Sequence, residues 1–308
     1  MFDHHPACRW TPAVFLFLVL PCLFQSTSVG EAGQIDETLR HDGVERTFRL
    51  VTPSNYESLK QLPLVIALHG KGGSGAGFDE ITGGTLSAAA DKRGMLLLFP
   101  NGIDGTWSDV HVGSGQDDVG YISKIIELMV KNHKANPRRV YVTGKSNGGF
   151  MSLRMAFECS EKVTAVAAVN AQLTSALDKK KPRLPISVML VNGTEDWLVP
   201  WEGRTRRFRG GKIHSTEKTV NYFRKHNRCD VRSTSKKFAD VDATDRTQVE
   251  STQHLNGMGD TEVLLIKVIG GGHTWPGGKP YGRIAGAVSQ DINASEEILD
   301  FFMRHERQ

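Results

Sequence analysis

The sequence predicts an α/β fold in which a mostly parallel central sheet is covered by helices on both faces. Short apolar runs of strand length alternate along the chain with stretches of helical periodicity. Most residues of these runs are apolar, which is typical of parallel strands buried on both sides. With 308 residues the chain is long enough to bury one sizeable core.

The alternation can be followed from one end of the chain to the other. The predicted strands are 47–51, 62–68, 94–100, 140–143, 186–191 and 263–269. The predicted helices are 86–90, 117–129, 217–224 and 294–305. Asp117 and Asp118 begin the second of these helices, and we expect both to cap it. The polar stretch 230–259 is expected to be a surface excursion, and no linker divides 31–308, so we expect one catalytic domain there.

Composition excludes several classes of protein. The chain is 39% apolar and 23% charged, which argues against disorder or a fibrous repeat. Its formal net charge of +4 is small, and no basic stripe is interleaved with aromatic residues, so no nucleic-acid partner is expected. The chain has no HExxH motif and no paired Cys/His ligand spacing, so neither a metal nor another cofactor is expected.

The first 30 residues differ from the rest. Arg9 precedes the apolar run 13–24, which is short for a bilayer span and leads into small and polar residues. We interpret 1–30 as a signal peptide and expect a secreted protein without stable membrane insertion; the alternative is an N-terminal anchor. Export would leave Cys159 and Cys229, which form either one disulfide or two buried thiols.

The most informative motif is Gly144-Lys145-Ser146-Asn147-Gly148, which lies between a predicted strand and a helical stretch. A G-x-S-x-G turn at this junction is the nucleophile elbow of α/β hydrolases, in which small flanking residues allow a strained, exposed serine. A glycine-rich turn that merely ends a strand is the alternative. On the first reading, Ser146 is the candidate nucleophile.

Loops after later strands supply candidates for the other two members of a triad in the order serine, acid, histidine. Asp196 follows the strand 186–191, with Glu195 as its competitor, and His273 follows the strand 263–269. Upstream, a glycine-rich turn begins after the strand 62–68. We therefore predict that the backbone amides of Lys71 and Asn147 form an oxyanion hole.

These residues resemble a known family. The segments LPLVIALHG, DDVGYI, RRVYVTGKSNGG, NGTEDWLVPW and GGGHTWPGG are similar to those of secreted polyhydroxybutyrate depolymerases and feruloyl esterases of the α/β-hydrolase fold. The resemblance runs from about Thr47 to the terminal helix. It implies Ser146 as nucleophile, Asp196 as acid and His273 as general base. Many relatives carry a small or thiol side chain at the position of Lys71, a difference that leaves the backbone amide in place.

The expected reaction is acyl transfer to water in two steps. His273 deprotonates Ser146, Asp196 holds the imidazole, and the two amides stabilise the oxyanion. The expected substrates are small or oligomeric esters, either hydroxyalkanoate or hydroxycinnamoyl. A peptidase or acyltransferase on the same triad, or a binding protein on a hydrolase scaffold, are the alternatives.

Other residues near these motifs have weaker assignments. Trp197, Trp201 and Trp275 flank the acid and the histidine and are candidates for the substrate pocket, with core packing as the alternative. His69 is expected to shape the oxyanion turn rather than act as a base. A basic cluster follows the acid loop and is expected to be either a solvated face or a site for an anionic substrate; it comprises Arg204, Arg206, Arg207, Arg209 and Lys212.

Overall fold

The computed structural model describes Met1 and residues 32–109, 115–205, 212–280 and 282–308. The predicted signal peptide, apart from Met1, and Arg206, Arg207 and Arg209 of the basic cluster lie outside these residues. The described strands are β1 (Gly33–His41), β2 (Val44–Thr52), β3 (Leu62–Leu68), β4 (Leu96–Pro100), β5 (Ala135–Lys145), β6 (Ala165–Val169), β7 (Ser187–Gly193), β8 (Arg204–Thr205), β9 (Lys212–Ile213), β10 (Thr234–Lys237), β11 (Gln248–His254) and β12 (Val263–Ile269). The described α-helices are α1 (Gly75–Ile81), α2 (Thr85–Lys92), α3 (Asp118–Asn132), α4 (Asn147–Glu158), α5 (Thr216–Asn227) and α6 (Ala294–Met303).

One large twisted sheet organises the described chain, in the order β1-β2-β4-β3-β5-β6-β7-β12-β11-β10. The six strands from β4 to β12 in this order are parallel to one another, and the two further strands at each edge are added by antiparallel pairing. All six predicted strands lie within or overlap strands of this sheet. The predicted α/β-hydrolase fold, with a mostly parallel sheet, is confirmed.

The helices cover both faces of the sheet, and each face has its own apolar core. On one face α3, α4 and α5 contribute buried side chains such as Ile122, Leu153 and Phe223. On the other face α1, α2 and α6 contribute Phe78, Leu86 and Phe302, among others. Because parallel strands present side chains to both cores, strands such as β3 and β4 are buried along their whole length.

Most of the polar stretch 230–259 is exposed, as predicted, but 11 of its 30 residues form two strands that the sequence did not predict. These are the strands β10 and β11, which extend the sheet beyond β12 through antiparallel pairing. Every residue of β10 is exposed. An edge strand is held by backbone hydrogen bonds and one neighbour, so its polar side chains carry little sign of the pairing.

The two aspartates at the start of α3 have different roles. Asp117 caps the helix as predicted, because its side chain accepts a hydrogen bond from the amide of Gly120 at 2.9 Å. Asp118 is fully buried and forms an ion pair with Arg46 at 2.7 Å, while its second oxygen accepts from the amide of Ser108 at 2.7 Å. Asp118 therefore ties β2 and the loop after β4 to α3.

Cys159 and Cys229 are both buried free thiols rather than a disulfide. Burial raises the pKa of each thiol to about 11, so both side chains are protonated and unreactive at neutral pH. None of the helices in the described ranges is long and apolar enough to cross a bilayer.

Candidate active site

Ser146 occupies the sharp turn between β5 and α4, with φ 57° and ψ −120°. A non-glycine residue in this region of backbone space is strained, and such strain persists only where the surroundings hold it. The amide of Ser146 donates to the carbonyl of Val169 on β6 at 2.8 Å, and its carbonyl accepts the first helical bond from Phe150 at 2.8 Å. The turn thus holds the side chain of Ser146 at the carboxyl edge of the parallel sheet.

The glycines that flank Ser146 are required by the close packing of the turn against β3. A Cβ atom on Gly148 would lie 2.0 Å from the carbonyl oxygen of Leu68, and one on Gly144 would lie 2.6 Å from the backbone of Gly148. Neither distance leaves room for a side chain. The G-x-S-x-G pattern is therefore a packing requirement of this turn.

Asp196 and His273 meet at the same edge of the sheet, from the loops after β7 and β12. The Nδ1 of His273 lies 2.7 Å from Oδ2 of Asp196, and the side chain of Asp196 is 1% exposed. The other carboxylate oxygen accepts from the amides of Leu198 and Val199, each at 2.9 Å. A carboxylate held in this way fixes the imidazole with Nδ1–H as donor, which leaves Nε2 to accept a proton.

The surroundings of His273 favour its neutral form. Burial lowers its pKa below the usual value, the hydrogen bond to Asp196 opposes that effect, and the nearby charge of Lys145 adds to it. Burial also lowers the pKa of Lys145, to about 8, although Asp196 favours its charge. At neutral pH the imidazole is therefore unprotonated, as a general base must be.

The glycine-rich turn after β3 faces the elbow. His69 is buried, and its Nδ1 lies 2.8 Å from the carbonyl of Gly70 while its Nε2 accepts from the amide of Gly102 at 3.0 Å. These contacts use both ring nitrogens, and burial lowers the pKa of His69. A ring with no nitrogen available for substrate has a structural role in the turn, in agreement with its sequence-based assignment.

Asn147 begins α4 and braces the loop after β4 with its side chain. Its amide side chain bonds the backbone of Trp107 in both directions, at 2.8 and 3.0 Å, and donates to Asp109 at 2.8 Å. As the first residue of a helix it has a backbone N–H without an intrahelical acceptor. Within the part of the chain that the structure describes, no other backbone group accepts from this N–H, which lies next to Ser146 in the chain.

A cleft of about 340 Å³ opens at this edge of the sheet, and Ser146, His273, Lys71 and Asn147 all line it. Part of its wall is apolar, and the apolar side chains come from several helices, strands and loops. They are Phe78, Ile81, Phe150, Leu198, Val199 and Ile213. A serine hydroxyl, a neutral imidazole tied to a carboxylate, and backbone amides around one partly apolar cleft can carry out acyl transfer.

The chain is similar over most of its length to a curated esterase. It is 31% identical over 278 residues to a protein of Nocardia uniformis named "Putative esterase NocK", and the match covers 85% of this chain and 80% of that protein. The chain belongs to this esterase family. No protein-family model matches the chain.

Two relatives with lower identity to this chain carry names that state a substrate. Feruloyl esterase B of Piromyces equi is 26% identical over 240 residues, which cover 74% of this chain and 42% of that protein. Feruloyl esterase C of Emericella nidulans is 24% identical over 163 residues, which cover 51% of this chain and 57% of that protein. This chain therefore spans about half the length of these feruloyl esterases.

Solved structures agree on the fold of the esterase. A thermostable esterase superposes with a TM-score of 0.58 at 15% identity, over 89% of this chain and 63% of that one. The acetyl xylan esterase from Aspergillus awamori superposes with a TM-score of 0.56 at 15% identity, over 87% of this chain and 99% of that one. At this level of identity the likeness concerns the α/β-hydrolase fold alone.

The three tryptophans predicted for the pocket of this esterase do not line the cleft. Trp275 is 1% exposed, packs edge-on against Phe78 and donates to Ser295 at 3.2 Å. Trp201 is also part of the core. Trp197 is 53% exposed and donates to the carbonyl of Ile284 at 2.6 Å. Sequence proximity to the acid and the histidine was misleading because neighbouring residues of a loop point in different directions.

The residues that do wall the cleft were mostly missed in the sequence. Leu198 and Val199 follow the acid in the same loop, whereas Phe78 and Ile81 come from α1, far away in the chain. Lys145 lies inside the serine motif and lines the cleft although it is 6% exposed. Of the basic cluster, Arg204 lines the cleft.

Proposed function

We propose that this member of the esterase family is a serine carboxylic-ester hydrolase in which Ser146 is the nucleophile, His273 the general base and Asp196 the acid that orients it. The hydrogen bond of 2.7 Å between His273 and Asp196, beside an elbow serine that lines the same cleft, is the observation that carries the proposal. The backbone amides of Lys71 and Asn147 are proposed to bind the oxyanion.

In the proposed mechanism, Nε2 of His273 takes the proton of Ser146 as the hydroxyl attacks the ester carbonyl. The carbonyl π electrons move onto oxygen, and the two amides stabilise that negative charge. Collapse of the tetrahedral intermediate expels the alcohol, which receives the proton from His273, and leaves an acyl-serine. Water then attacks the acyl-serine with the same base, and the acid product leaves with Ser146 restored.

For the substrate we propose a hydroxycinnamoyl ester, because two of the relatives described above are named feruloyl esterases. The GGGHTWPGG and DDVGYI segments also resemble those of polyhydroxybutyrate depolymerases, so a hydroxyalkanoate ester is the second candidate. A panel of methyl ferulate, hydroxybutyrate oligomers and nitrophenyl esters of graded length separates the two. We propose that the protein acts outside the cytoplasm after removal of 1–30.

The test of the mechanism is Ser146→Ala with Ser152→Ala as a control. Ser152 is a buried serine on the same helix whose hydroxyl donates to the carbonyl of Gly148 at 2.8 Å. We expect Ser146→Ala to lower kcat for a nitrophenyl ester by a factor on the order of 10⁶ with little change in thermal transition. Ser152→Ala should keep most of the activity. More than a few percent of activity in Ser146→Ala would contradict the assignment, and an amide substrate cleaved faster than its matched ester would indicate a peptidase.

A further inference from the structure

The cleft beside Ser146 has an excess of positive charge among its described residues. Lys71, Lys145 and Arg204 line it, and Asp109 is the carboxylate among the described lining residues. Asp196 lies behind His273 at the same edge of the sheet. Even when Asp196 is counted, three cations face two carboxylates.

Both carboxylates accept hydrogen bonds from other groups of the protein. Asp109 accepts from the side chain of Asn147 at 2.8 Å. Asp196 accepts from two backbone amides and from His273. Both carboxylates keep their charge and Asp196 also attracts Lys145, so the field that a ligand meets in the cleft is set by the excess of one positive charge among these described groups.

Lys145 is the most buried of the three cations. It precedes Ser146 in the chain, lines the cleft and is 6% exposed. Its pKa of about 8, lowered by burial, leaves most of the ammonium groups protonated at pH 7. A charge at a buried position is screened less by water and salt than the exposed charges of Lys71 and Arg204.

The remaining lining limits which anions fit. The side chains of Phe78, Phe150 and Ile213 present apolar surface to the same cleft. A small inorganic anion would leave this surface uncovered, whereas a short carbon chain that ends in a charged group would cover it and reach the cations.

We infer that this cleft selects esters that carry a free carboxylate in addition to the scissile ester, on a short apolar chain. The inference rests on the proposed function and favours its second candidate substrate, a hydroxyalkanoate ester, over a hydroxycinnamoyl ester. The carboxylate could belong to the acyl part or to the alcohol part of the ester, and the experiment separates these two sources.

The experiment compares kcat/KM within two matched pairs at pH 7. The acyl-side pair is the para-nitrophenyl hemiester of adipic acid and para-nitrophenyl hexanoate. The alcohol-side pair is the linear dimer of hydroxybutyrate and its methyl ester. We expect the charged member of at least one pair to be preferred by about tenfold, the gain from one hydrogen-bonded charge in a partly buried site. The preference should fall as ionic strength rises.

Variants identify the cations responsible. In the preferred pair, Lys145→Met should lower the preference by about tenfold, and Arg204→Met by about twofold to fivefold because exposed charges contribute less. Lys131→Met, which removes an exposed lysine on α3 outside the cleft, is the matched control and should leave the preference unchanged. If Lys145→Met does not fold, Lys71→Met and Arg204→Met together should still reduce the preference.

Two results would overturn the inference. One is a wild-type enzyme without preference for the charged member of either pair. The other is an unchanged preference in Lys145→Met, or in the combined exposed variant if Lys145→Met does not fold. Hydrolysis of para-nitrophenyl hexanoate that depends on Ser146, in the absence of any preference, would reject the inference and keep the proposed esterase. Hydrolysis that does not depend on Ser146 would reject the proposed function itself.

Discussion

Asp196 and Glu195 are adjacent acidic residues, but they have very different surroundings. The carboxylate of Asp196 is buried between His273 and two backbone amides. Glu195 is exposed, and its backbone amide donates to the carbonyl of Gly271 at 2.9 Å. The sequence could not separate the two because either side chain could be brought to the histidine by a one-residue shift of the loop.

This contrast gives a test of the acid. Asp196→Asn should lower kcat by about 10⁴, because an amide in place of the carboxylate favours the wrong tautomer of His273. Glu195→Gln is the matched control and should change kcat less than about twofold, as exposed substitutions usually do. Steady-state kinetics on one nitrophenyl ester decide the matter, and a larger loss in Glu195→Gln would transfer the role to Glu195.

The pKa of His273 predicts the acid side of the pH profile. Burial holds this pKa below 6.5, Asp196 opposes the shift and Lys145 adds to it. For a neutral ester, kcat/KM should therefore fall toward acid with a midpoint below 6.5, because the base is lost as it becomes protonated. Lys145→Met should move the midpoint upward, since a cation near the imidazole is removed. A wild-type midpoint above 6.5 would contradict this account of the site.

At the scale of elements, the site depends on how α3 and β2 hold the loop that follows β4. Asp118 on α3 bonds both Arg46 on β2 and the amide of Ser108, and Arg46 also stacks on the ring of Tyr121 at 3.9 Å. The adjacent Trp107 is bonded through its backbone to the side chain of Asn147. The DDVGYI segment, which contains Asp118, thus supports Asn147 indirectly, through the loop that holds Trp107 and Ser108.

Removal of this ion pair should therefore affect stability first and activity second. We expect Asp118→Asn to lower the free energy of unfolding by about 3–5 kcal/mol, because Arg46 is left as a buried unpaired charge. The double variant Arg46→Met with Asp118→Leu should be less destabilised than Asp118→Asn, as both charges are then absent. Urea unfolding of the three proteins measures this. Equal stability of Asp118→Asn and the wild type would show that the pair contributes nothing.

For the whole molecule, the prediction concerns the proposed removal of 1–30. The first described strand begins at Gly33, which pairs with Thr52 of β2. We expect N-terminal sequencing of exported protein to give a first residue between Ser28 and Ala32, because cleavage there keeps β1 whole. Recovery of intact Met1 from an exported preparation would indicate an anchor instead. Protein expressed from residue 31 serves as the length standard.

The sequence by itself determined the strands of the sheet centre, because strands buried on both faces are apolar along their whole length, as β3 and β4 are. It also predicted Ser146, whose flanking glycines are a local packing requirement. Tertiary structure decided which side chains share the cleft. Phe78, Phe150, Lys145 and Arg204 come from different elements, and the direction of each side chain depends on packing across the sheet. The same holds for the edge strands, because β11 pairs with β12 and β10 pairs with β11 through backbone groups that are alike in every residue.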